Sequence, residues 1–148
     1  MKTIDGGIAA PRGFRAAGVT AHIKNLQSTK KDCALLVSET PATIAGAFTT
    51  NLVKAAPVLW TSEVCARGRA RAVFANSGNA NACTGDKGME DARATAAHVA
   101  KGLDAAAEEI AILSTGVIGF PLPMDRILNG VDACLAALSP EGGADAAA

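Results

Sequence analysis

The sequence predicts an α/β chain of the layered α+β kind, with β-strands packed against flanking helices. Three observations predict it. Short runs of alternating or continuous apolar residues recur between Phe14 and Leu113. Two longer segments, 86–103 and 123–138, repeat their apolar residues at helical spacing. Aromatic residues make up only 3% of the chain, so aliphatic side chains and alanines must fill the core, which favours close approach of helix and sheet.

Residues 1–13 form a turn-rich lead-in punctuated by Gly6-Gly7 and Pro11-Arg12-Gly13. Phe14–Ile23 reads as a first strand, with Val19, Ala21 and Ile23 alternating against Gly18, Thr20 and His22. The polar stretch Asn25–Lys31 reads as a hairpin loop, and Asp32–Glu39 as a second strand apolar enough to lie inside a sheet. Thr40-Pro41 marks a turn into a third strand, Ala42–Thr50, whose small residues Ala45, Gly46 and Ala47 suit a close neighbouring layer. Three strands joined by short turns imply antiparallel pairing.

Thr61 is placed to cap a short helix reaching about Ala66, which Gly68 ends. Arg69–Ala75 reads as a fourth strand, followed by an Asn- and Gly-rich loop, Asn76–Gly85. Asp86–Leu103 is a helix with Asp86, Glu90 and Asp91 near its positive end. Asp104–Glu109 is a polar connection and Ile110–Leu113 a fifth strand, running into Ser114-Thr115-Gly116-Val117-Ile118-Gly119. Pro123 then opens a helix carrying the apolar stripe Met124, Ile127, Leu128, Val131, Leu135 and Leu138. Ser139-Pro140 ends it, and residues 139–148 read as a linker-like end with no element to seal the fold.

The 148 residues suffice for one domain with a core. Lys plus Arg and Asp plus Glu number 14 each, so no long-range field favours nucleic acid or an anionic membrane, and the scarce aromatics offer no stacking platforms. Nucleic-acid and membrane partners are not expected. Cys33, Cys65, Cys83 and Cys134 stand far apart without a C-x-x-C pair, and His22 and His98 are the only histidines, so no metal-ligand spacing exists. Free thiols, the absence of a signal-like start and the lack of an 18-residue apolar run make the cytoplasm the expected location.

The chemistry-bearing stretches are three polar segments that follow strands: Thr49-Thr50-Asn51, Asn76–Asn81 and Ser114–Gly119. A Thr-Gly turn at a strand end presents a hydroxyl and backbone N–H groups, the donors a developing oxyanion needs; equally, such a Thr satisfies nearby backbone in an ordinary connection. The Asn76–Gly85 loop before a helix has the form of an anion cradle, but neither G-x-G-x-x-G nor G-x-x-x-x-G-K-[ST] occurs, and self-satisfying Asx turns account for the amides as well. Cys83 has no His beside it in sequence, and His22 reads as a solvated strand residue rather than a base. G-x-S-x-G and a Ser-His-Asp arrangement are both missing. The chain therefore reads as the supporting half of an active site.

Four motifs carry a resemblance: Gly7–Ala17 (GIAAPRGFRAA), Ser38–Ala56 (SETPATIAGAFTTNLVKAA), Asn76–Gly85 (NSGNANACTG) and Ser114–Asp125 (STGVIGFPLPMD). Together they make the chain resemble the N-terminal part of the bifunctional ornithine acetyltransferase / glutamate N-acetyltransferase family of arginine biosynthesis. The resemblance implies a precursor that cleaves itself before an internal threonine into an α and a β chain. The new N-terminal threonine accepts acetyl from N-acetylornithine and passes it to glutamate, with acetyl-CoA as a donor in some members. It also implies stacked β-sheets flanked by helices and completed by the β chain, and a dimer of αβ heterodimers. No cofactor is implied; acetyl-CoA, where used, is a substrate. The family's oxyanion-hole pair falls on Thr115 and Gly116. Residues 1–148 then correspond to the α-chain portion, stopping short of the nucleophile and expected to be inactive alone. The alternatives are an amidase of the N-terminal-nucleophile type and a non-enzymatic anion-binding module.

Overall fold

The computed structural model describes residues 6–148. Four strands, β1 (Phe14–Val19), β2 (Cys33–Thr43), β3 (Arg69–Asn79) and β4 (Ile110–Val117), form one sheet in the order β1-β2-β3-β4. The first three pair antiparallel: β1 and β2 are the expected antiparallel neighbours, whereas the partner of β2 on its other side is not the expected Ala42–Thr50 but β3, reached through α1. β3 and β4 pair parallel, across a connection containing α2 (Gly85–Leu103). The remaining helices are α1 (Ala56–Arg67), α3 (Met124–Ala136) and the short α4 (Gly143–Ala147). The mixed α/β architecture is the predicted one.

The sheet is two-sided in composition. Ala17, Cys33, Leu35, Val37, Ala72, Phe74, Ile110 and Ile112 share one face by alternation, and all are buried with Val64 of α1, Val99 of α2 and Ile127 and Val131 of α3. The other face is half-buried or open at Ala34, Leu36, Val73, Ala75, Leu113 and Thr115, and α4 packs at its β1 side. There a Cβ on Gly18 would fall 1.9 Å from the Asp145 carbonyl oxygen, so only glycine lets α4 approach so closely.

Both sheet edges have partners. On the β4 side, Trp60 Nε1 donates to the Ile110 carbonyl at 2.8 Å, while Thr61 Oγ1 donates to Ile112 O at 2.7 Å and accepts from Ile112 N at 2.9 Å. On the β1 side, Ala16 and Ser139 exchange two backbone hydrogen bonds in an isolated bridge.

Several elements differ from expectation. β1 stops at Val19, not Ile23, because the Asp32 carboxylate pulls the following backbone into a loop. The turn at Thr40-Pro41 and the separate strand Ala42–Thr50 do not form. Instead β2 runs on to Thr43 with a register shift between Val37 and Ala42, and Pro41, lacking an N–H, sits in that irregular stretch. α1 begins at Ala56 with Pro57 in its first turn, and Thr61 is no cap because its hydroxyl is spent on β4. β3 and β4 each extend four residues beyond the expected Ala75 and Leu113. Residues 139–148, expected to be linker-like, carry the Ser139 bridge and α4.

Candidate active site

The longer strands change the nature of the two polar stretches. Asn76–Asn79 and Ser114–Val117 are the paired C-terminal ends of two parallel strands, in the register Asn76–Ser114, Ser77–Thr115, Gly78–Gly116 and Asn79–Val117. Several polar groups in these strand ends find partners. Ser114 Oγ donates to Asn76 Oδ1 at 2.6 Å, and Ser77 N donates to the Asp32 carbonyl at 2.8 Å. Beyond the strands the segments stay clasped: Ala80 N donates to Val117 O, Gly119 N to Ala82 O, and Asn79 Nδ2 to Pro121 O.

Gly78 and Gly116 both adopt φ = 131°, a region that L side chains rarely enter. A Cβ on Gly116 would lie 2.1 Å from the Gly78 carbonyl oxygen. The pair therefore needs glycine on both counts, conformation and space. It gives the paired strand ends a positive-φ backbone just after Thr115, whose side chain stays exposed on the open sheet face. Thr115, Ser77 and the Lys31–Asp145 ion pair border a depression of about 260 Å³ on that face. An exposed hydroxyl at the mouth of a depression can donate to a negative oxygen arriving from the open side.

The other expected residues fall as follows. The Asn76–Gly85 loop satisfies itself: Asn76 Nδ2 donates to Asn79 O and Asn81 Nδ2 to Gly88 O, while Asn81 Oδ1 accepts from Thr84 Oγ1. Asn81, wholly buried, and the exposed Cys83 take the positive φ values that let the loop fold back. These inward amides argue against an anion cradle. His22 is not a strand residue but a left-handed loop residue, φ = 57°, whose carbonyl accepts from Arg126 Nη1 at 2.8 Å. Thr49 lies near Ser114 in a separate hollow beside β4. Sequence reasoning missed Gly78 as the partner of Gly116 and Asp32 as an anchor; the local signal was a glycine at matching distance into two strand ends. No group of three potential metal ligands occurs among the described residues, and no described helix is long and apolar enough to cross a membrane.

The ArgJ family profile matches residues 15–148. The arginine biosynthesis bifunctional protein ArgJ of Symbiobacterium thermophilum is 56% identical over 147 residues, which are 99% of this chain and 37% of that protein. The ArgJ of Caldanaerobacter subterraneus is 52% identical, covering 99% of this chain and 36% of its own length. The chain thus spans little more than a third of these relatives. Among solved structures, ornithine acetyltransferase of Mycobacterium tuberculosis in complex with ornithine superposes with a TM-score of 0.91 at 50% identity, over 96% of this chain and 77% of that one. The ArgJ protein of Bacillus halodurans superposes at 0.85 with 38% identity, over 95% and 72%. With a profile match over nearly its whole length, the chain belongs to the ArgJ family.

Proposed function

We propose that this chain is the N-terminal, α-chain portion of an acetyltransferase of arginine biosynthesis that moves acetyl from N-acetylornithine to glutamate. In this reading the acceptor of the acetyl group is the N-terminal threonine of a β chain cut from the same precursor, and Thr115 and Gly116 are the oxyanion hole. The observation that carries it is the in-register Gly78–Gly116 pair, two positive-φ glycines packed against each other beside an exposed Thr115 on the open side of the sheet. The 50% identity to an ornithine-bound acetyltransferase adds the substrate class.

The mechanism follows from charge. Attack of the threonine oxygen on the acetyl carbonyl puts negative charge on the carbonyl oxygen, and collapse expels ornithine and leaves an acetyl-threonine ester. Attack by the glutamate amine rebuilds the same oxyanion before acetyl-glutamate leaves. One pair of donors therefore serves both half-reactions. The β chain covers the open sheet face and brings the nucleophile to Thr115, and the assembly is a dimer of αβ heterodimers in the cytoplasm.

Thr115→Ala in the complete protein tests the site. A kcat lowered about 10²–10³-fold with a nearly unchanged melting midpoint is expected, because an exposed side chain contributes little packing; unchanged turnover would sink the assignment. Product analysis separates the amidase alternative, since acetyl-glutamate marks transfer and free acetate without an acetylated acceptor marks hydrolysis.

A further inference from the structure

The segment between β1 and β2 is held more firmly than its loop character requires. Asp32 Oδ1 accepts from Ala21 N at 2.5 Å and Oδ2 from Ile23 N at 2.7 Å. From the other side, Arg126 Nη1 of α3 donates to the carbonyls of His22 and Ile23 at 2.8 and 3.3 Å. Between these clamps His22 sits at φ = 57°, a conformation that costs free energy and persists only where the surroundings impose it. What the clamps impose is the position of Ile23, which is 3% exposed. Its Cγ2 would lie 2.8 Å from a Cβ on Gly78, so Ile23 rests directly on the glycine backbone.

Gly78 is the residue whose carbonyl crowds Gly116. The backbone of Asp32 reaches the same place by a second route, since its carbonyl accepts from Ser77 N, one residue before Gly78 and in register with Thr115. One residue thus fixes the strand beside the proposed oxyanion hole twice, through its main chain at Ser77 and through its carboxylate and Ile23 at Gly78.

We propose that Asp32 is a positioning residue for the Thr115–Gly116 pair, setting the Gly78 backbone against which Gly116 packs. The proposal rests on the oxyanion reading above and adds to it a residue that touches neither substrate nor nucleophile. Asparagine at this position keeps the shape but replaces one accepting oxygen with an NH2 group that faces a backbone N–H, so one clamp opens. Catalytic hydrogen bonds are sensitive to displacements of well under an ångström, so a loosened prop is read out in kcat.

The test is a double-mutant cycle in the complete protein, with N-acetylornithine and glutamate as substrates. Asp32→Asn is expected to lower kcat about tenfold or more while KM changes less than about twofold, because the interaction it disturbs is made in the transition state. In a Thr115→Ala background the same substitution is expected to cost less than about threefold, since the donor it positions is gone. A merely structural Asp32 would lower the melting midpoint and reduce kcat by equal factors in both backgrounds, and that result, or unchanged kcat in Asp32→Asn, overturns the proposal. Should Asp32→Asn not fold, Ile23→Val is put through the same cycle, with a several-fold fall expected only where Thr115 is present and equal factors again overturning the idea. A Thr115→Ala enzyme with normal turnover would instead remove the oxyanion reading itself, a distinct failure that takes the proposal with it.

Discussion

Gly130 of α3 leaves room for the sulfur of Cys33: a Cβ there would lie 2.7 Å from Cys33 Sγ. Both Cys33 and Cys134 are buried and free. Burial pushes the Cys134 thiol up to about 12, and Cys33 is raised further by burial, then by the neighbouring Cys134 and Asp32. A thiol raised in the folded state stays neutral there, while the unfolded chain ionises near 9. The stability this contributes is therefore complete below about pH 9 and is lost as pH climbs from there towards the folded values. Tyrosine, which would ionise in the same range, is missing from the chain. Urea unfolding of the complete protein between pH 8 and 11 should show stability falling above pH 9, with a shallower fall in Cys134→Ala; identical slopes would refute the account. A thiol reagent at pH 8 should label the exposed Cys83 and leave Cys33 and Cys134 unmodified until the protein unfolds.

α3 shows how far helical spacing reads through to packing. Of its apolar stripe, Ile127 and Val131 are wholly buried, whereas Leu128 and Leu135 are only partly so. Ile127→Ala should cost about 2–5 kcal/mol, and Leu135→Ala, at the rim against Gly102, distinctly less; equal losses in urea unfolding would mean the helix is rotated from the described position. The same spacing located α2 and α3 to within a residue or two at most ends, because long periodic segments bury one stripe whatever their neighbours. Strand ends were not legible in this way. Asn76–Asn79 and Ser114–Val117 have loop composition, and what keeps them extended is a parallel partner 38 residues away in sequence. Thr61 was misread for the same reason, since a threonine near a helix start has the local look of a cap while its actual partner, Ile112, lies on another element. Thr115 and Gly116 were legible as candidate donors from the four motifs, but Asp32 looked like a strand boundary, because its carboxylate acts on residues it meets only after folding.

At the scale of the whole molecule, the helix-covered face is a finished core and the opposite face is not. Leu113, Ile118 and Phe120 are exposed around the candidate site, and Phe48, Leu52 and Val53 are exposed on the segment preceding α1. Apolar groups in such numbers beside a catalytic candidate are those a second layer would cover. Residues 1–148, purified alone, should show no acetyl transfer from N-acetylornithine, and co-expression with the rest of the protein should restore it; turnover by the isolated segment would refute the division of labour. In the proposed reading, the sequence carried the need for a partner, through a chain with candidate donors and no nucleophile. It did not carry the direction from which the partner comes.

That direction follows from the sheet's two margins. Trp60 and Thr61 occupy the backbone of β4 along one side, and Ser139 occupies β1 on the other. With its outer hydrogen-bonding groups engaged at those positions, the sheet has little capacity to recruit further strands side by side, the route by which unguarded edges aggregate. What remains is its broad surface. For the proposed αβ enzyme, assembly would thereby be steered towards stacking, layer upon layer, so that the contacts guarding the edges of the lone sheet would also set the geometry of that assembly.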